Sequence, residues 1–449
     1  MRLTEDGVGM MLWIILVAGT VFATSLAACG GERTLDIDAT AGGARDGGED
    51  PGGVAADGGS LDAGACALQT EICKSGVLAA GFSEPVQIVP SDMLPDEIAV
   101  QDANNNLDIV VHDCRLFVAF RTAPSHFASD RTMLYVISTA DRRTWSYERR
   151  FFMGTDLREP RLLSWNGRLF LYFAVLGDNP ADFTPKGMMV SEYEKPGRWS
   201  TPEYFYGEGF IPWRAKMIDG VPYMLAYVGG ENIYDENGKP IEVHWLTTKD
   251  GRTWEPVVPG QPVVLSGGMS ETDFVFLDDA TLVAVSRNEA GDGAHWGSLI
   301  CRAEAGAPGD WKCRHDPQKY DSPLVFRHKN EVYLIGRRNV TESGCFDLGE
   351  LDPAYRELPP AEQSRKYAID YWNRPKRTSL WKVDPESLTV SFVLDLPSKG
   401  DTSFAGLAEM CGGSYLVYNY TSPLDGPDVS WIDGQTGKTI IYETVLTLP

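Results

Sequence analysis

The sequence predicts an all-β protein folded as a six-bladed β-propeller. Three observations predict it: a hairpin pattern recurring about every fifty residues, turn residues between the paired strands, and almost no helical periodicity. The copies are DIVVHDCRLFVAFR (108–121), REPRLLSWNGRLFLYFA (158–174), PWRAKMIDGVPYMLAY (212–227), ETDFVFLDDATLVAVSR (271–287), SPLVFRHKNEVYLIGR (322–337) and SFAGLAEMCGGSYLVYNY (403–420). Asn166-Gly167, Asp219-Gly220 and Gly412-Gly413 sit where a tight hairpin needs residues tolerant of left-handed backbone. A four-stranded blade has about this repeat length.

In chain order, the first element is Met10–Ala23, an apolar run shorter than a spanning helix and suited to a signal h-region. It leads to Leu26-Ala27-Ala28-Cys29, which resembles the bacterial lipobox. Residues 1–28 are therefore expected to be a lipoprotein signal peptide, with Cys29 acylated and holding the chain to a membrane. Gly30 lacks the aspartate associated with inner-membrane retention, so the cell envelope at the outer membrane or cell surface is the expected location. Residues 29–80 read as a tether: Gly31–Ala65 carries eight acidic and two basic residues, and no aromatic occurs from Gly30 to Gly64. Such a composition buries too little surface to offset its ordering entropy. The propeller is expected over 84–449.

A formal charge of −23 argues against nucleic acid as a partner. No CxxC or HxxxH spacing is present, so neither metal nor cofactor is expected, and the chain is expected to act as a monomer. An oxidising compartment permits disulfides. Cys301 and Cys313 flank a turn-rich stretch symmetrically and are predicted to bridge across a hairpin; Cys66 and Cys73 are close enough to do the same. Cys114, Cys345 and Cys411 leave one thiol over.

Six hairpins, most followed by further strands, imply six blades. The last looks one strand short, while Glu84–Pro90 is an orphan strand before the first repeat, so this segment is expected to close the ring. A five-bladed ring with one degenerate hairpin is the alternative. Pro360–Lys366 is the one short helical candidate.

In a propeller the innermost strand starts, and the second strand ends, on the same face. Counting from the turns, the second strands end in Arg121, Ala174, Tyr227, Arg287, Arg337 and Tyr420. The inner strands begin near Arg158-Glu159, Trp213-Arg214, Glu271, Asp321 and Thr402-Ser403. Arginines, carboxylates and aromatics thus converge on one mouth, where guanidinium groups suit an anionic ligand. His126 follows Arg121 in a loop and Trp213 offers a sugar-stacking platform.

Ser138–Trp145 (STADRRTW) and Thr247–Trp254 (TTKDGRTW) resemble Asp-boxes, the turn motif of sialidase-type propellers. The succession AFR, SH, DLREP, WR and DTSFAGL is also similar to exo-α-sialidase-like members of that superfamily, over roughly Asn104 to Leu448. The resemblance implies a six-bladed ring with structural Asp-boxes and a two-group glycosidic site. It implies Tyr420 or Tyr418 as nucleophile with Glu271, and Asp156, Glu159 or Asp401 as acid/base. The expected function is a cell-envelope glycoside hydrolase acting on an acidic glycan; the alternative is a non-catalytic, surface-anchored glycan-binding propeller.

Overall fold

The computed structural model describes Leu68 and residues 78–179, 183–231, 238–292, 295–411 and 413–449. Its strands form six antiparallel sheets: blade 1 over residues 103–151, blade 2 over 157–208, blade 3 over 211–267, blade 4 over 269–316, blade 5 over 321–395 and blade 6 over 402–447. Blade 6 is completed from the other end of the chain, because Val86–Val89 and Gly81–Phe82 both pair with its outer strand Ile440–Thr447. The ring is closed by the segment the sequence singled out, and the five-bladed alternative falls. Cys29, Cys66 and Cys73, with the expected anchor and most of the tether, lie outside the described residues.

Hairpin chemistry is as the sequence requires. Asn166-Gly167 and Asp219-Gly220 both have positive φ at each position, the type I′ backbone whose twist matches paired strands. Cys301 and Cys313 are direct partners in blade 4 and form a disulfide. Cys114 is also disulfide-bonded, while Cys345 is a free, half-buried thiol.

Asp141 and Asp250 each accept two backbone N–H bonds across the turn between third and fourth strands, at 2.7–2.8 Å and 2.6–2.8 Å. Those bonds pull both carboxyls down to about 2, and Trp145 and Trp254 are buried behind them. Asp384 makes the same turn in blade 5 with a sequence too degenerate to recognise.

Apolar clusters fill the spaces between neighbouring blades: Phe117, Leu134 and Val136 meet Leu169, Leu171 and Phe173 between blades 1 and 2, and Val283, Val285 and Ile300 meet Val325 and Leu334 between blades 4 and 5. Each sheet buries both faces this way, which explains the near-continuous apolar runs of the second strands. The short helical candidate is a full helix, Pro360–Trp372, inside the long connection between the second and third strands of blade 5.

Every innermost strand breaks register close to its start: at Asn105/Leu107, Arg158/Arg161, Pro212/Arg214, Met269/Thr272, Asp321/Leu324 and Ser403/Gly406. In four of these bulges a non-glycine residue takes positive φ: Asn106 at 47°, Glu159 at 52°, Ser322 at 54° and Phe404 at 53°. A bulge re-aims side chains and locally abolishes period-two alternation. Repeated six times, it delivers polar residues to the axis at one end of the ring.

Farther along the same strands, toward the base, the inner edge has no neighbouring strand, and its buried backbone groups need other partners. Charged side chains supply them. Asp108 accepts from the Leu162 N–H (2.8 Å) and Asp273 from the Val325 N–H (2.7 Å). Lys216 donates to the Phe274 and Val325 carbonyls (2.8 and 3.0 Å), and Arg327 to the Phe276 carbonyl (3.1 Å). These residues line an axial cavity of about 500 Å³. Among the described residues no helix is long and apolar enough to cross a membrane.

Candidate functional site

The polar residues at the bulged end form two hydrogen-bonded groups. The first belongs to blades 1, 2 and 6. Arg121 donates to Asp156 at 2.7 and 2.9 Å, Thr132 adds a bond at 2.6 Å, and Arg158 pairs with the other carboxylate oxygen. Beside them His126 Nδ1 lies 2.6 Å from Asp401, whose second oxygen accepts from the Tyr420 hydroxyl at 3.1 Å. Burial lowers the His126 pKa against the pull of Asp401, so the ring is neutral near pH 7. In the tautomer that donates from Nδ1 to Asp401, Nε2 keeps a lone pair.

The second group belongs to blades 4 and 5. Arg287 lies 3.0 Å from Glu271 and 3.2 Å from Glu289, while Arg337 donates to Asp321 at 2.7 and 3.2 Å. Asp321 also accepts from Tyr371 on the helix 360–372 (2.7 Å) and faces Lys319 (3.3 Å). Although burial opposes it, Lys319, Arg337 and Arg287 hold the Asp321 carboxyl well below the usual range. Glu271 accepts from the Ser322 N–H at 2.7 Å. The groups touch where Arg337 reaches the Thr402 carbonyl at 3.4 Å, and Trp431 covers the Arg337 guanidinium at 5.0 Å.

Glu159 stands between the two groups. Its carboxyl is buried, bonds Arg161 at 3.3 Å, and is within electrostatic reach of Glu271. Burial, with Glu271 adding to it, pushes it up to about 8 against Arg161, Arg158 and Arg287. Burial likewise raises Glu271. The side chains of Arg158, Glu159 and Arg287 are 11–12 % exposed, whereas Arg121, Asp156, Asp321 and Asp401 are fully buried.

The convergence expected from the repeat is present: Arg121, Arg287 and Arg337 lie at one end of the ring, with Asp156, Asp321, Asp401 and Glu271 among them. Several expected roles need correction. Each arginine is already ion-paired, and Arg121 is sealed against Asp156, so it braces the fold and is closed to ligand. Asp156 is unsuited to acid catalysis, since Arg121 and Arg158 keep it ionised despite burial. Tyr420 bonds Asp401 in place of Glu271 and is fully buried. Tyr418 lies lower on the same strand and bonds Glu443, which faces Arg142 of blade 1 at 2.9 Å, so it does not reach the mouth.

Trp213 is 1 % exposed and cannot stack on a sugar; it lies under Arg161 (4.8 Å) and against Phe404 (5.2 Å). Arg214 sits below this layer, donates to the Pro323 carbonyl (2.9 Å) and lines the basal cavity. Tyr227 is buried wall within electrostatic reach of Arg287. Ser403 is buried, with no hydrogen-bond partner for its hydroxyl. Sequence counting missed Arg161, because the bulge offsets the alternation, and Lys319, Glu289, Tyr371 and Trp431, because they come from connections between the repeated strands. Among the described residues no group of three or more His, Cys, Asp or Glu side chains is arranged to hold a metal ion.

The ring is similar to known structures. The chain matches a sialidase from Trypanosoma rangeli with a TM-score of 0.51 at 13 % identity, covering 82 % of this chain and 60 % of the sialidase chain. The protein has a sialidase-like fold. The sialidase-like ring is also similar to a protein of unknown function from Dyadobacter fermentans, with a TM-score of 0.56 at 14 % identity over 83 % of this chain and all of the other. No protein-family model and no curated protein sequence matches it. At these identities the sialidase-like likeness concerns the fold alone.

Proposed function

We propose that this protein is a glycoside hydrolase of the cell envelope, held there through Cys29, that cleaves an acidic glycan with Glu159 as proton donor and Glu271 as partner carboxylate. The single observation behind this reading is the buried Glu159 carboxyl, bonded to Arg161, pushed up to about 8 and in electrostatic reach of a second buried carboxyl, Glu271. Glycosidic cleavage needs a protonated acid at the leaving oxygen and a second carboxylate at the anomeric carbon or its attacking water. Arg287, 3.0 Å from Glu271, favours ionisation of Glu271 while Glu159 keeps the proton. The partly open guanidinium edges of Arg158 and Arg287 suit a sugar carboxylate or sulfate. His126, 11 % exposed and held by the buried Asp401, adds a polar group at the rim.

The test is turnover of aryl glycosides and envelope glycan extracts by the full chain and by Glu159→Gln. The variant should lose about 10²–10⁴ in kcat while remaining folded, because Gln copies the shape of a protonated carboxyl without its proton. Binding on a glycan array with no product from the unaltered protein would instead establish the non-catalytic reading. Release of the protein from membranes by Cys29→Ser tests the anchor.

A further inference from the structure

Arg161 emerges from the same bulge as Glu159, and its environment is unusual for a cation. It is 1 % exposed and lies across two rings, Trp213 of blade 3 at 4.8 Å and Phe404 of blade 6 at 5.6 Å. Those rings meet edge to face at 5.2 Å. Together the three side chains form a layer across the axis, with the charged mouth on one side and Arg214 and the basal cavity on the other. One Arg161 nitrogen donates to the Pro160 carbonyl (3.2 Å) and another to Glu159 Oε2 (3.3 Å), while Nε has no partner. A second guanidinium, Arg214, lies below it and, after burial, lowers its affinity for the proton to about 10.

A guanidinium has five N–H donors and no lone pair to accept with. Whatever the protonation state of Glu159, the oxygen facing Arg161 must therefore be an acceptor. When the carboxyl is protonated, its carbonyl oxygen, a stronger acceptor than its hydroxyl oxygen, is favoured at the Oε2 position against Arg161, with the hydrogen on Oε1. The rings fix the guanidinium beneath and the bulge fixes the glutamate backbone above, with its N–H 3.4 Å from Asn106 Oδ1.

We propose that Arg161, seated on Trp213 and Phe404, is a positioning residue that confines the Glu159 proton to Oε1 and sets how readily that proton leaves. The inference rests on Glu159 being the proton donor of the proposed reaction. The other charged or titratable groups facing Glu159 are Arg158 on its own strand, Glu271 and Arg287 from blade 4, and Tyr420 from blade 6; those facing Arg161 are Glu271, Asp108 and Arg214. Of the arginines, Arg161 alone bonds the Glu159 carboxyl, and it is closed to solvent.

The experiment is a carbon-13 NMR titration of glutamate carboxyls in the full chain, with Glu159→Gln assigning the resonance, followed by pH–rate profiles. Arg161→Met removes a charge that stabilises the ionised carboxyl, so the Glu159 midpoint should move up by about one pH unit or more, and the alkaline limb of kcat should move with it. Arg161→Lys should return the midpoint most of the way but not kcat, since an ammonium lacks the planar fork that lies flat on the rings. If Arg161→Met melts early, Trp213→Leu replaces it: the guanidinium stays but loses its seat, and the midpoint should move in the same direction by less. An unmoved midpoint in both variants overturns the proposal. A moved midpoint in a protein with no turnover at all would sustain the role of Arg161 while overturning the glycosidase reading.

Discussion

The two ends of the axis carry similar residues and use them differently. At the base, Asp108, Asp273, Lys216 and Arg327 spend their polar atoms largely on backbone N–H and C=O groups of innermost strands, which have no neighbouring strand on that edge. At the mouth, charged side chains mainly bond one another: Arg121 with Asp156, Arg287 with Glu271, Arg337 with Asp321, and Asp401 with His126 and Tyr420. The first arrangement is fixed by architecture, because an unmade backbone bond in the interior costs about 1–3 kcal/mol wherever it occurs. The second takes some backbone bonds too, as Glu271 does from the Ser322 N–H and Arg121 does to the Phe127 carbonyl, but its close charge–charge pairs exceed what those bonds require and call for another explanation. Buried charges that bond one another beside a carboxyl that burial pushes up to about 8 match the pattern expected of a functional site.

That contrast breaks most sharply in kinetics. Glu271→Gln should reduce turnover of any cleaved glycoside by about 10²-fold or more in a protein that still folds, since an amide accepts from the Ser322 N–H and Arg287 keeps Glu289 at 3.2 Å. Unchanged kcat in this variant would remove Glu271 from the chemistry and return the mouth to the same architectural status as the base.

The converse substitution is Asp273→Ala. It leaves Lys216 (2.7 Å) and Arg214 (3.6 Å) without their counter-charge and strands the Val325 N–H. Losing one member of such a buried pair costs about 3–5 kcal/mol, so denaturant midpoints should fall strongly while kcat per folded molecule stays put. A loss of activity without a loss of stability would show that the base also serves the reaction.

Acidity sharpens the comparison further. Glu159 has a folded-state pKa raised from 4.5 to about 8, so the native state holds the proton more tightly than the unfolded chain between those values. Stability therefore declines as pH rises through this window, and the penalty is complete only above about 8. Glu159→Gln lacks the titration. The melting temperature of the variant relative to the unaltered protein should climb steadily from pH 5 to pH 8; a constant difference would mean that the carboxyl ionises normally.

How much of this was legible in the sequence follows the same division. The ring was readable because hairpin turns and apolar strands obey local rules: Asn166-Gly167 and Asp219-Gly220 declare their turns, and the 301–313 pairing follows from symmetry about a loop. The gathering of Arg121, Arg287 and Arg337 was readable because it depends only on repeat position. Pairing was not. Arg121 reaches out of blade 1 to Asp156, while Arg287 and Arg337 take Glu271 and Asp321 of their own blades and Tyr420 takes Asp401 at blade 6, choices that repeat position alone does not set. Beside the bulges at Glu159 and Phe404, Arg161 lies over Trp213, burying the tryptophan expected to be open as a stacking platform. The helix carrying Tyr371 lies in an insertion outside the repeat, where counting has no purchase.

The smallest effect is expected at a third kind of charge, the Asp-box carboxylate, which bonds backbone as the base does but in solvent. Asp250 accepts from the Arg252 and Thr253 N–H groups at 2.8 and 2.6 Å in a turn far from the axis in sequence position and role. Asp250→Ala removes both bonds, but water can replace them, so the loss should resemble that of a helix cap, about 1 kcal/mol, or roughly 2 °C in melting temperature. The sign with pH is opposite to that of Glu159. The Asp250 carboxyl is depressed from 3.8 to about 2, so its stabilisation is fully present above 3.8 and disappears as pH falls toward 2. The gap between Asp250→Ala and the unaltered protein should accordingly be constant from pH 8 to pH 5 and shrink below pH 4. A gap that instead grew with acid would mean that the carboxylate is repelled in the native turn, and that backbone bonding does not by itself mark a charge as architectural.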